Sequence, residues 1–244
     1  MNSLIEFKNV TKKYGKITII NNASFGINEH AICGLVGPNG AGKTTMIKLL
    51  LDITPATEGT INVMGTIDAK ERALQQQSIG AIVDGPAYYR NLNAYQNMKV
   101  VAHMKNFMLS DAENERLLRL VGLGNAARKK VKKFSTGMKQ RLAIALSLIG
   151  DPKLLIWDEP INGLDPEGIL EVRKLIHHLR DTLKVTFLIS SHLLNELDKV
   201  ADQIILIKDG RIRFNDTFEA MLSRSGKETL EEAYMQLISG GGEL

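Results

Sequence analysis

Two short stretches of this 244-residue chain are built from residue types that handle phosphate. The first is Gly37-Pro38-Asn39-Gly40-Ala41-Gly42-Lys43-Thr44, a glycine, four residues, then glycine, lysine and a hydroxyl residue. Glycines let successive backbone N–H groups wrap an anion without obstruction by Cβ, and a helix starting just behind them turns its positive end toward the same anion. Lys43 would neutralise charge on the outer phosphates, and the Thr44 hydroxyl would hold a divalent cation. The second stretch, Leu154-Leu155-Ile156-Trp157-Asp158-Glu159, ends an apolar strand in two carboxylates. Asp158 suits support of the cation, normally through its water shell. Glu159 suits orienting or deprotonating a water aimed at the last phosphate. Each stretch alone has a plain alternative, a glycine-rich turn or an acidic strand end. Together they point to hydrolysis of a nucleoside triphosphate.

Kinases, GTPases and helicases share these two elements. The discriminating stretch is Phe134-Ser135-Thr136-Gly137-Met138-Lys139-Gln140-Arg141, which opens a long helical run ahead of the carboxylates. A serine and a glycine at a helix N-terminus can bind an anion. The stretch resembles the signature motif of ABC ATPases, a variant of Leu-Ser-Gly-Gly-Gln. Ser135 and Gly137 match it, while Phe134, Thr136 and Met138 depart from it. The rest of the chain follows that family's order over residues 4–237. Tyr14 matches the aromatic that stacks on adenine. Asn162-Gly163-Leu164-Asp165 resembles the loop that touches a facing subunit, although Asp165 also reads as a helix cap. His192 matches the histidine that senses the γ-phosphate.

The resemblance implies that ATP is held by Tyr14, by residues 37–44 and by Thr45, with Mg²⁺ at Thr44 and Asp158. Glu159 and His192 would be catalytic. Two copies would face head to tail, with Ser135, Thr136, Gly137 and Met138 completing the partner's site in trans and Asp165 at the contact. Separate integral-membrane permease subunits would receive the motion through the helical insertion.

These groups need elements to position them. Residues 4–8, 17–27, 31–36, 60–63, 79–83, 154–157 and 185–190 read as strands, and a hairpin over 203–208 and 211–214 turns on Asp209-Gly210. Residues 44–52, 94–107, 111–120, 136–149 and 229–237 read as helices. Another follows Asp165 with Pro166 at its first position, and Ile169, Val172, Ile176, Leu179 and Leu183 fall on one face of it. The expected fold is α/β: a P-loop NTPase (RecA-like) core with an antiparallel β subdomain and an inserted α-helical subdomain. A single domain spans 1–244, with the ATP-binding core at 1–85 and 151–214. The helical subdomain that carries the signature is 86–150, and a C-terminal helical tail is 215–244.

One position departs from the family. Residues 79–83 lead to Asp84, where ABC ATPases usually place a glutamine that reaches Mg²⁺ and the attacking water and contacts the membrane subunit. Asp84 reads either as a carboxylate in that catalytic and metal-binding role or, with Gly85 and Pro86, as an ordinary turn. A carboxylate there, and the sequence Gly85-Pro86-Ala87-Tyr88-Tyr89-Arg90-Asn91-Leu92, resemble bacitracin- and lantibiotic-type exporters. The motor of a peptide-antibiotic or bacteriocin immunity exporter is the expectation. A soluble ABC ATPase, a nucleotide-dependent regulatory switch and the motor of an importer are the alternatives.

Composition is consistent with this. Net charge is +4 and the basic residues are scattered among acidic ones, so charge does not call for nucleic acid. The run Arg128-Lys129-Lys130-Val131-Lys132-Lys133 reads as a solvated loop before a helix. The lone Cys33 reads as a small buried hydrophobe. No apolar stretch approaches the ~18 residues of a membrane span. The expected location is cytoplasmic, peripheral on the inner face of the cell membrane.

Overall fold

The computed structural model describes residues 3–83 and 87–239. Its strands are β1 (Ser3–Tyr14), β2 (Ile17–Asn28), β3 (Ile32–Val36), β4 (Glu58–Val63), β5 (Ile79–Ile82), β6 (Leu154–Asp158), β7 (Thr186–Ser191), β8 (Gln203–Lys208) and β9 (Arg211–Asp216). They form an antiparallel sheet of order β2-β1-β4 and a second sheet of order β5-β6-β7-β3-β8-β9. Among the described residues, only the β8–β9 pairing of the second sheet is antiparallel. The helices are α1 (Lys43–Leu50), α2 (Ala69–Gln75), α3 (Ala94–Met104), α4 (Asp111–Leu120), α5 (Thr136–Ser147), α6 (Pro166–Leu183), α7 (Leu194–Leu197), α8 (Phe218–Ser225) and α9 (Leu230–Ser239). This is the α/β architecture with an antiparallel β layer that the motifs call for, and α3, α4 and α5 lie between β5 and β6 in the chain.

Parallel strands must be covered on both faces, which is why they read as unbroken apolar runs. Every residue of β3 and β7 is buried, and β6 is buried up to Asp158. Alternate side chains feed two cores. Cys33, Leu35, Leu154, Ile156 and Leu188 pack with Phe7 and Ile20 of the antiparallel sheet and with Met46 and Leu49 of α1. Ile32, Leu155, Trp157, Phe187 and Ile189 pack on the other face with Leu142 and Ile144 of α5 and with Val172, Ile176 and Leu179 of α6. Burial pushes the Cys33 thiol pKa up, with the Asp202 charge adding to it, so this cysteine behaves as an apolar group.

Trp157 joins the sheet to α5. Its ring meets Phe187 edge-on at 5.2 Å. Its Nε1 donates to Ser147 Oγ at 3.1 Å, and that hydroxyl donates to Ile144 O at 2.8 Å. The residue directly before Asp158 is therefore anchored by packing and by a satisfied indole N–H.

Several element ends differ from the expected ones. Helix α3 stops at Met104 and α5 at Ser147, although the apolar pattern continues through Phe107 and Ile149. Those residues stay in or against the core after the helical hydrogen bonds end, so periodicity overruns the helix. At this junction Lys105 Nζ donates to Ile79 O at 3.1 Å and Ile149 O at 2.8 Å. Leu183 departs from its expected buried face and is 49% exposed in the last turn of α6. Strand β1 runs on to Tyr14 because a register shift after Phe7, where Asn9 has φ 51°, breaks the alternation without ending the pairing. Helices α2 and α7 were not expected, and both are short. Helix α8, eight residues N-capped by Thr217, falls within the stretch expected as a helical tail. The basic run forms a short turn whose Val131 is fully buried and whose amide donates to Leu92 O at 2.9 Å.

Candidate active site

Residues 37–42 join the carboxyl end of β3 to the start of α1, beside the ends of β6 and β7. Open α/β sheets place ligands at this edge. The loop is shaped by close approach. A Cβ on Gly37 would lie 2.1 Å from Ile207 O, so no side chain fits there without moving β8. The β8–β9 turn also supports it: Gly210 N donates to Ala41 O at 3.0 Å, and Asn21 N donates to Gly210 O at 2.8 Å. Within the loop Ala41 N donates to Pro38 O at 3.1 Å.

The Lys43 side chain folds back over this loop, its Nζ donating to Gly37 O at 2.7 Å and Pro38 O at 3.3 Å. Burial lowers its pKa, and the carboxylates of Glu159 and Asp158 partly offset that. Thr44 Oγ1 donates to Asp158 Oδ2 at 2.9 Å. The other oxygen of Asp158 accepts a short hydrogen bond from Ser190. Glu159 follows in the left-handed region at φ 51°, which swings its side chain away from the strand direction. Its Oε2 lies 2.9 Å from His192 Nδ1.

Pro38, Asn39, Gly40, Gly42, Lys43, Thr44, Thr45, Asp158 and Glu159 line one cleft of about 500 Å³ with Ile19. The structure thus brings together residues that lie more than a hundred positions apart. Among the described residues three charged side chains line the cleft, one ammonium and two carboxylates. A polyphosphate entering it adds negative charge beside Asp158 and Glu159, so a further cation is needed for balance. A hydroxyl and a carboxylate 2.9 Å apart are hard oxygen donors of the kind Mg²⁺ takes when phosphates supply its other ligands.

Other expected residues stand elsewhere. Tyr14 does not line the cleft; it is half exposed at the β1–β2 hairpin with Lys12 Nζ 4.6 Å above its ring. Ser135 caps α5, accepting from Met138 N at 3.2 Å, and Thr136, Gly137 and Met138 form the first turn behind it. None of the four lines the cleft. They sit beside the other expected contact loop, since the Cβ directions of Gly137 and Gly163 point at Leu164 and Thr136 respectively. Asp165 caps α6 through Gly168 N at 2.8 Å. Asp84 lies outside the described residues. Ile19, Ser190 and Gly210 were not expected at the site. A serine ending an apolar strand was the only local sign of Ser190, and nothing local marks the other two.

The geometry is that of a nucleotide-hydrolysing site, and comparison with known proteins gives it a family. The ABC transporter family matches residues 20–162, and the chain belongs to it. It is similar to the lantibiotic transport ATP-binding protein SrtF of Streptococcus pyogenes, 44% identical over 235 residues, 96% of this chain and 97% of that one. It also resembles the bacitracin transport ATP-binding protein BcrA of Enterococcus faecalis, 38% identical across 94% of this chain and 74% of the relative. Among solved structures, a dimeric post-hydrolysis state of an ATP-binding cassette bound to ADP and Pi superposes with a TM-score of 0.78 at 25% identity. That match covers 87% of this chain and 98% of the other. The chain is an ATP-binding, ATP-hydrolysing subunit of an ABC transporter.

Proposed function

We propose that this chain is the motor of a peptide-antibiotic immunity exporter, working as a head-to-tail pair beneath separate membrane permease subunits. The observation that carries the motor reading is the convergence of Lys43, Thr44, Asp158, Glu159 and His192 on one cleft. Backbone N–H groups of the glycine loop and the N-terminus of α1 face the phosphates, and Lys43 moves from its loop carbonyls onto them. Thr44 and Asp158 hold Mg²⁺, which when bound offsets the charge that develops on the transferred phosphoryl group. Glu159 accepts the proton of the attacking water. His192 fixes the orientation of that carboxylate through its ring nitrogen. Tyr14 stacks on adenine from the hairpin that leads to Ile19.

Ser135 and Gly137 lie away from the cleft of their own chain, which supports their action across a dimer. The dimeric solved structure bound to ADP and Pi supports a dimer. The core comprises 1–85 and 151–214, the helical subdomain 86–150 and the tail 215–244. Between core and helices lies a groove of about 720 Å³ lined by Ile82, Val83, Tyr88, Val101, Met104 and Lys105. This groove receives the permease. No helix among the described residues is long and apolar enough to cross a membrane. In this proposal the permease attaches the chain to the cytoplasmic face. The likeness to lantibiotic and bacitracin transport proteins supports a peptide cargo.

The first test is ATP hydrolysis by purified protein beside Glu159→Gln, with size-exclusion chromatography in ATP and Mg²⁺. The variant is expected to lose turnover by about 10²- to 10⁴-fold and to run as an ATP-dependent dimer. A wild type that neither binds nor hydrolyses ATP, even with its permease, ends the motor reading. Reconstitution with the native permease tests the cargo: absence of both peptide export and cell protection ends the immunity assignment.

A further inference from the structure

We propose that Ser190 is a positioning residue for hydrolysis, one hydroxyl that sets the Asp158 carboxylate and the Glu159 backbone together. The inference rests on the ATPase reading and adds to it a residue outside the expected motifs. Ser190 is fully buried on β7, in register with Asp158 on β6. Its Oγ donates to Asp158 Oδ1 and accepts from Glu159 N at 3.0 Å. Its carbonyl oxygen accepts from the same amide at 3.2 Å.

A serine hydroxyl has one proton and two lone pairs. With the proton committed to Asp158, a lone pair is left for the Glu159 amide. Thr44 Oγ1 holds the other Asp158 oxygen at 2.9 Å, so hydroxyls on opposite sides fix the plane of this carboxylate. The chain of bonds is Glu159 N–H to Ser190 O–H to Asp158, and such chains strengthen each member by polarisation. Glu159 needs that grip because its φ of 51° is disfavoured for a residue with a Cβ. If the amide slips, the side chain loses its 2.9 Å approach to His192. Ser190 therefore couples the group expected at the metal to the group expected at the water.

A packing role is separable, because the next residue provides a matched control. Ser191 is equally buried on the same strand, and its hydroxyl accepts from Leu193 N at 3.0 Å. Full-length Ser190→Ala and Ser191→Ala are compared with wild type and Glu159→Gln in steady-state ATP hydrolysis and thermal unfolding. Mn²⁺ binding with ATP, read by electron paramagnetic resonance, is measured in parallel. Ser190→Ala is expected to lower kcat at least about 10-fold while KM for ATP stays within about 3-fold, the pattern of misplaced catalytic groups. Its Mn²⁺ signal broadens, whereas Ser191→Ala keeps wild-type values. Ser190→Cys, with a weaker donor of similar size, gives an intermediate rate and keeps the comparison readable if the alanine variant does not fold. An unchanged kcat in Ser190→Ala, or equal losses in both alanine variants, overturns the inference while leaving the ATPase intact. An inactive wild type overturns the ATPase reading and this inference with it.

Discussion

Gly37 and Gly40 belong to the same loop, yet a methyl group meets a different wall at each. At Gly37 the new carbon would lie 2.1 Å from Ile207 O, a backbone atom that cannot turn aside. At Gly40 nothing stands within 4 Å, and the only cost is the backbone at φ 80°. Gly37→Ala is expected to displace the loop, lower the thermal midpoint and abolish ATP binding. Gly40→Ala is expected to cost about 1–2 kcal/mol of backbone strain and leave the fold intact. Thermal unfolding and equilibrium ATP binding check both, and equal effects would show that the loop does not lean on β8. Residues of this kind separate what sequence can and cannot reveal. Lys43, Thr44, Asp158 and Glu159 were legible because their types and spacing are tied to phosphate chemistry. Ser190 was not, since a serine at a strand end has many uses and its partners are fixed only by the register of β6 against β7.

At the scale of elements, the junction of α3, α5 and β5 holds a partly buried cation, Lys105. Burial lowers the Lys105 pKa from 10.5 to about 8, while its ammonium bonds to the Ile79 and Ile149 carbonyls. Below about pH 8 folded and unfolded chains both carry the proton, and the desolvation penalty is constant. Between about pH 8 and the ordinary lysine range the unfolded chain binds more protons than the folded one, so folded-state stability rises with pH. Lys105→Met removes this titration. The thermal midpoint of wild type minus that of the variant is expected to grow from about pH 7.5 to about pH 10. A difference that stays level across that range would place the ammonium in water. The same junction shows why helix ends were misjudged. Apolar period continues wherever burial continues, but beyond Met104 the backbone leaves the helical pattern, with Phe107 N donating to Ala102 O at 2.9 Å. Helices α2 and α7 were missed because neither is long enough to show an apolar stripe.

For the whole molecule, the class of fold was legible, and the order of its strands was not. Apolar runs alternating with helical segments imply a parallel sheet, but the order β5-β6-β7-β3-β8-β9 is decided by contacts between distant parts of the chain. The β8–β9 turn is such a contact. Every recognisable motif lies at or before His192, yet Gly210 is bonded to Ala41, and Ile207 stands against Gly37. A chain stopped after residue 200 is therefore expected to carry the complete set of motifs and to bind no ATP above background in an equilibrium assay. Wild-type affinity in that fragment would show that the loop shapes itself. During synthesis the same dependence sets a schedule. The segment proposed to grip the phosphates leaves the ribosome early, and the turn it bonds to is made more than 160 residues later. On that proposal nucleotide capture is expected only once the last strands have been laid down, so that a half-made motor would stay idle beside the cell's ATP.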